Sequence, residues 1–278
     1  MATLKNNLIV PKGSLKKDGL TFYQRGDKTV MRSATSEQPH RRTRKQFEAR
    51  QRMANCTGLW KAMTMDTTPV LAGGKSSYGR FCTLMRKLPV TYLTKEERQM
   101  GAALLLPGIP VSDGMLPDIE YRLGEVEGQP ALLTSLRLRA GTHSMASALY
   151  SRGGSLQRDE WLCLYRLKQT TTIFDGEIMP RLNVKVETLD YENCSNEQPF
   201  ADIELRNVDG QLALVGDVLG DDMRGWALVR MAEGKASSQK VVTSCSLYEQ
   251  YLTDEAFERA AKSYGGLTKD LYLTPNEN

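Results

Sequence analysis

Hydrophobic residues follow two rhythms along this chain. In the first hundred or so positions they recur every three or four residues, broken by one short alternating stretch. From about residue 118 onward they recur every second residue. The first rhythm predicts helices and the second predicts half-buried strands. The alternating stretch near the start is Leu20-Thr21-Phe22-Tyr23-Gln24-Arg25, then Gly26-Asp27, then Lys28-Thr29-Val30-Met31-Arg32. Strand formers on both sides of a two-residue turn predict a β-hairpin.

A helix is expected next. Thr43 and Gln46 have the spacing of a capping box, which satisfies two orphan backbone donors at a helix start. Ala49, Met53, Cys56, Trp60 and Met63 then fall on one stripe, read as the core-facing side. That phase puts Phe47 on the opposite side, either packed under the hairpin or presented as an aromatic within a cationic face. Residues 66–79 read as a loop. A short helix is expected from Tyr78 to Leu88, and another from Thr94, capped through Glu97, to about Leu105. Three prolines and two glycines in 107–117 predict a linker.

Beyond it, Leu132–Leu138, Trp161–Leu167, Leu182–Thr188, Ile203–Arg206, Gln211–Val215, Trp226–Met231 and Lys240–Leu247 read as strands. Asp209-Gly210 and Glu233-Gly234 are the turns. Thr253 caps a last helix, Asp254 and Glu255 suit its positive end, and Gly265 stops it. The expected fold is α+β: a basic hairpin-plus-helix module (1–65), a helical middle and linker (66–117), and a separable antiparallel, immunoglobulin-like β-sandwich with a C-terminal helix (118–278).

Charge changes the picture at one end. Residues 1–52 hold 13 Lys and Arg against 4 Asp and Glu, whereas the whole chain is only +4. The remainder is therefore mildly acidic, and the concentrated positive charge bears on partners rather than on a reaction. The candidate contact residues, for a polyanion or a protein partner, are Arg41, Arg42, Arg44, Lys45, Arg50 and Arg52 around the helix start, with Phe47, and Arg25, Lys28 and Arg32 on the hairpin. A helix N-terminus also favours phosphate. Protein assembly, self-association and DNA or RNA contact are the partner classes this charge allows.

Chemistry-bearing motifs are weak. Gly73-Gly74-Lys75-Ser76 matches the end of a phosphate-binding loop, but Pro69 replaces the first glycine and no strand feeds it. His143-Ser144 lacks a nucleophile elbow. Asp113 with Asp118, and Asp217 with Asp221 and Asp222, read as solvated loops. Five scattered cysteines and two histidines form neither a zinc pattern nor a disulfide framework, so no metal and no cofactor are expected. No stretch approaches a membrane span of about 18 apolar residues, and the first residues show no apolar run of secretory length, so neither membrane contact nor a secretory leader is expected. The protein is expected in the cytosol at synthesis.

Gly13, Gly19, Phe22-Tyr23, Gly26, Val30, Arg32, Arg42-Thr43, Gln46, Arg50, Met53-Ala54 and Trp60 together resemble a hairpin-plus-helix module of uncharacterised bacterial and phage proteins. The remainder resembles a family of unknown function from gut bacteria, whose members put a helical middle before a β-rich C-terminal part. The resemblance implies a non-enzymatic structural role, in a phage or mobile-element particle, and supplies no catalytic residues.

Overall fold

The computed structural model describes residues 2–4, 14–17, 20–25, 28–33, 43–64, 77–139, 144–174, 177–195, 199–216 and 223–265. The chain forms two compact units, Met1–Arg42 and Thr43–Asn278. In the first, β1 (Ala2–Leu4), β2 (Ser14–Lys17), β3 (Leu20–Arg25) and β4 (Lys28–Ser33) make an antiparallel sheet in the order β1-β4-β3-β2. The expected hairpin is its centre, and two further strands flank it.

The second unit is layered. Tyr121–Val126 (β6) and Gln129–Arg137 (β7) join Ile203–Val208 (β10) and Gln211–Gly216 (β11) in the order β10-β11-β7-β6. A second antiparallel sheet runs β13-β12-β8-β9, from Trp161–Phe174 (β8), Glu177–Leu189 (β9), Arg224–Ala232 (β12) and Lys235–Ala236 (β13). Val242–Thr243 (β15) pairs back onto β12. The facing sides of both sheets meet in one core, where Leu132, Leu136, Leu162, Leu164, Leu212, Leu214, Trp226 and Leu228 interdigitate. The sheets thus form a sandwich within an α+β fold. Period-two patterning carries this arrangement, since alternate residues of each strand reach the shared core.

The opposite side of the β8–β12 sheet is covered as well. Cys163, Tyr165, Leu167, Leu182, Val184, Ala227 and Val229 pack against α1 (Arg44–Thr64), α2 (Ser77–Met85) and the run Ala102–Leu106. Being covered on two sides explains why β8 opens as an unbroken apolar run, Trp161 to Tyr165, rather than alternating. Helices α3 (Lys95–Gln99) and α5 (Asp254–Ser263) are tied together: the Ser263 hydroxyl accepts from the Lys95 N–H at 3.0 Å, and Arg259 lies 3.6 Å from Glu97. A short helix, α4 (Met145–Tyr150), closes one end of the sandwich core.

Several local expectations hold. Thr43 and Gln46 exchange both capping contacts, as do Thr94 and Glu97. Asp209 and Gly210 both have positive φ, as a primed hairpin turn requires. Thr253 caps α5, which buries Ala256, Phe257, Ala260 and Ala261.

Others need correction. The helix expected from Thr94 to Leu105 stops at Gln99, because Gly101 takes φ +81. Ala102–Leu106 then continues as a strap outside any helix or strand, each residue at most 5% exposed. Buried Gln169 holds it, accepting from the Leu105 N–H at 2.6 Å and donating to the Ala103 carbonyl at 3.2 Å. The expected linker at 107–117 is structural. Its Pro110–Ser112 (β5) pairs with Gln239–Lys240 (β14), and Ile109 and Val111 are fully buried. The strand expected over Lys240–Leu247 is broken into short pieces and ends in a 3-10 turn, Leu247–Tyr251.

The largest shift of phase is in α1. Phe47, Gln51, Cys56, Leu59 and Met63 are its buried residues, while Ala49 is exposed and Met53 is 52% exposed. The true stripe is masked in the sequence by polar residues that serve the interior. Gln51 donates to the Leu93 carbonyl at 3.2 Å, and Asn55 donates to the Thr91 carbonyl at 3.0 Å. A buried amide with partners in place is tolerated where an unpaired one is not.

Candidate interaction surface

The candidate cations separate into three groups. Arg41 and Arg42 lie outside the described residues. Those on α1 are partly consumed by the fold. Arg44 pairs with Glu48 at 3.1 Å and with Asp254 of α5 at 2.9 Å, and its guanidinium lies 4.5 Å from the centre of the Phe257 ring. The hydrogen bond to Asp254, first, and that to Glu48 hold Arg44 above its ordinary pKa against the opposing effect of burial. Arg52 donates to the Arg86 and Leu88 carbonyls at 2.8 and 3.1 Å, closing the end of α2. Lys45 and Arg50 are exposed and take part in no ion pair among the described residues.

Phe47 is 7% exposed and packs edge-on against Phe257 and Tyr264, with ring centres 5.6 and 5.9 Å away. The reading of Phe47 as a contact aromatic is thereby overturned. The cluster of Phe47, Tyr92, Ala256, Phe257, Ala260 and Ala261 is instead the seam between α1 and α5. Phe47→Ala is expected to cost about 3 kcal/mol, read from the urea midpoint. Arg44→Ser, at a half-exposed pair, is expected to cost under about 1 kcal/mol. Equal losses would count against this division of labour.

The third group sits on the N-terminal sheet, where strand register assigns faces. Tyr23 is opposite Val30 and Ser14, Thr21 is opposite Arg32 and Lys16, and Arg25 is opposite Lys28. Since residues two apart share a face, register places Lys16, Thr21, Tyr23, Arg25, Lys28, Val30 and Arg32 on one face, where Val30 is buried. Register places Ala2, Leu4, Leu15, Leu20, Phe22 and Met31 on the other, together with Lys17, Gln24, Thr29 and Ser33. Arg25 and Lys28 are cross-strand partners, and Arg32 and Lys16 fall in a separate row opposite Thr21 on the same face. Lys16 counts among the basic residues in the sequence, but Ser14–Lys17 is too short to stand out there as a strand.

The weak catalytic leads behave differently. Gly73 to Ser76, His143, and Asp217, Asp221 and Asp222 lie outside the described residues. Asp113 is half-buried and pairs with Arg80, whereas Asp118 is exposed, as a solvated loop acid is, and accepts from the Ser238 N–H at 2.7 Å. Ser144 caps α4 and donates to the Cys194 carbonyl at 2.9 Å. All five cysteines are buried. Burial, first, pushes the Cys56 thiol up to about 12 and Cys163 up to about 11, the reverse of what a nucleophilic thiol needs. A groove of about 460 Å³ lies beside the Asp209 turn, lined by Glu120, Arg122, Leu133, Val208 and Gln211 among others.

No family model, no curated protein and no solved structure matches this chain. Among the described residues, no helix is long and apolar enough to cross a membrane.

Proposed function

We propose that this chain is a non-enzymatic assembly or interaction protein, with the N-terminal sheet as its contact unit and the sandwich as its body. One observation carries the reading. By register one face of the sheet carries most of its apolar residues, Leu4, Leu15, Leu20, Phe22 and Met31, with Lys17 and Gln24 among them, and the other carries Lys16, Arg25, Lys28 and Arg32 beside Tyr23 and the buried Val30. A small sheet needs its apolar face covered to be stable, and a second copy of the same chain is the commonest cover in soluble assemblies. The protonated, buried Cys56 and Cys163 thiols also favour a structural role over covalent chemistry.

The sandwich is best read as immunoglobulin-like. Its orders β6-β7-β11-β10 and β9-β8-β12-β13 follow A-B-E-D and C′-C-F-G, a scaffold used widely for interaction. A place in a phage or mobile-element particle, with incorporation into a virion after cytosolic synthesis, follows from the resemblance of Gly13–Trp60 described above. Nucleic-acid contact through the cationic face is the second reading.

Light scattering coupled to size-exclusion chromatography tests the first. The full chain is expected to rise in mass with concentration. Residues 43–278 and the Leu15→Ser/Phe22→Ser variant are expected to stay monomeric. A full chain that remains monomeric at every concentration would overturn the assembly reading.

A further inference from the structure

We propose that the open edge of β8 at Thr170–Phe174 is a self-association site on the body, where the segment pairs antiparallel with the same segment of a second copy about a two-fold axis at Thr172. The proposal rests on the reading of the chain as an assembly protein. It adds a contact on the body to the one on the N-terminal sheet.

Strand β8 outruns its neighbour. β12 accompanies it from Trp161 to Lys168, and the Gln169 N–H still reaches the Met223 carbonyl at 2.6 Å. From Thr170 to Phe174, β9 is its only strand partner among the described residues. In an antiparallel sheet, alternate residues turn their N–H and C=O to the same side. Gln169 faces the β12 side, so Thr171 and Ile173 face it too, past the end of β12. Thr171, Thr172 and Ile173 are all exposed, Ile173 at 78%. Three exposed residues in a row mean that both faces of the ribbon are open there.

The two edges of this ribbon differ. On β9, Pro180 stands opposite Thr171. It has no N–H to offer, its carbonyl accepts from the Ala103 N–H at 3.0 Å, and it is buried. That edge is closed. On β8, the run Gln169-Thr170-Thr171-Thr172-Ile173-Phe174 has no charge, proline or glycine. Charges, prolines and bulges are the devices that keep an exposed edge from pairing, and an uncharged run of strand formers without them is prone to take up a further strand.

The edge complements itself. A two-fold axis at Thr172 sets Thr171 opposite Ile173 of the second copy, and both have their backbone groups turned outward. The two such pairs exchange about four backbone hydrogen bonds. Thr172 then meets its own counterpart in a non-hydrogen-bonded pair. These are β-branched pairs, which favour a sheet, and no like charges meet. A contact of this size is too small to hold two copies together unaided, in keeping with a monomeric 43–278 fragment. The N-terminal contact raises the local concentration that engages it.

The test is a covalent trap. Non-hydrogen-bonded partners lie about 4.5 Å apart at Cα, within the span of a disulfide. Thr172→Cys is therefore expected to link to itself in the full chain in a buffer of oxidised and reduced glutathione, read on non-reducing gels. The same link is expected, more slowly, in residues 43–278. Thr170→Cys, whose two copies would lie about 14 Å apart, is expected to stay unlinked. The five native cysteines are buried, and the parent chain gives the background. Adding Thr171→Pro, which removes an N–H that β9 does not use, is expected to slow the Thr172→Cys link about 10-fold or more. Should that variant misfold by circular dichroism, Ile173→Lys, which puts a charge on the exposed edge, carries the same expectation.

Equal linking of Thr172→Cys and Thr170→Cys overturns the proposal. So does linking that neither Thr171→Pro nor Ile173→Lys slows. No link in either the full chain or residues 43–278 also overturns it, and a full chain that still gains mass with concentration then leaves the N-terminal contact standing without it. A full chain that stays monomeric by light scattering, yet links at Thr172 and not at Thr170, supports this edge and refutes the N-terminal contact.

Discussion

A fragment of residues 118–278 is expected to fail to fold, whereas residues 43–278 are expected to unfold in a single cooperative transition. The reason lies on the outer side of the β8–β12 sheet. Tyr165, Leu167, Leu182, Val184, Ala227 and Val229 are buried there under Leu59, Met63, Phe81, Leu104, Leu105 and Ile109, all of which precede residue 118. Removing that layer exposes a continuous apolar sheet face, which drives aggregation rather than leaving a stable sandwich. The division of the chain falls instead after Arg42. Circular dichroism and urea unfolding of the two fragments check this. A soluble, monomeric 118–278 fragment with a sheet spectrum and a cooperative transition would restore the boundary at the proline-rich stretch.

The sandwich was legible because its strands obey simple local rules. Val184 is buried beside exposed Lys185, and Leu205 is buried beside exposed Glu204. Asp209-Gly210 can take φ values that other pairs resist. What was not legible was the function of short or doubly covered segments. Ala102–Leu106 looks helical because Ala and Leu are good helix formers. It is not helical because Gly101 breaks the preceding helix, and all five residues are enclosed on leaving it.

The roles of the candidate cations were half legible. Net charge singles out one end of the chain, but composition does not distinguish an arginine free to meet a partner from one that clamps a helix. Arg44 and Arg52 look like their neighbours in sequence. They are spent on Asp254 and on backbone carbonyls because α1 packs on α5 and α2. The α1 stripe failed for a related reason. Gln51 and Asn55 sit on the buried side and carry Arg98, which donates to the Asn55 side chain at 2.6 Å. Burial, first, lowers the Arg98 pKa, and the amides offset that cost with hydrogen bonds. No hydrophobicity pattern marks such positions.

Gly114→Ala is expected to destabilise the chain by about 4 kcal/mol or more, placing it among the exceptional single substitutions. A methyl group there would lie 2.0 Å from the Ala236 carbonyl oxygen and 2.7 Å from its carbon, and backbone cannot swing aside as a side chain can. The surroundings are pinned. The Gly114 N–H donates to the Ser238 hydroxyl at 3.0 Å, the Ser112 hydroxyl donates to the Ser237 carbonyl at 2.6 Å, and the Leu116 N–H donates to the Ala236 carbonyl at 2.9 Å. Relief would require parting 112–116 from 236–238, and with it β5 from β14. Gly58→Ala, in the middle of α1, is the contrast. Its methyl would meet only the Ala102 carbonyl at 3.5 Å, an ordinary contact. Loss of glycine's extra freedom in the unfolded chain should then raise stability by about 0.5–1 kcal/mol. Urea midpoints that move in opposite directions for these two variants are the expected result. A Gly114→Ala variant as stable as the parent would mean that this stretch is a free linker after all.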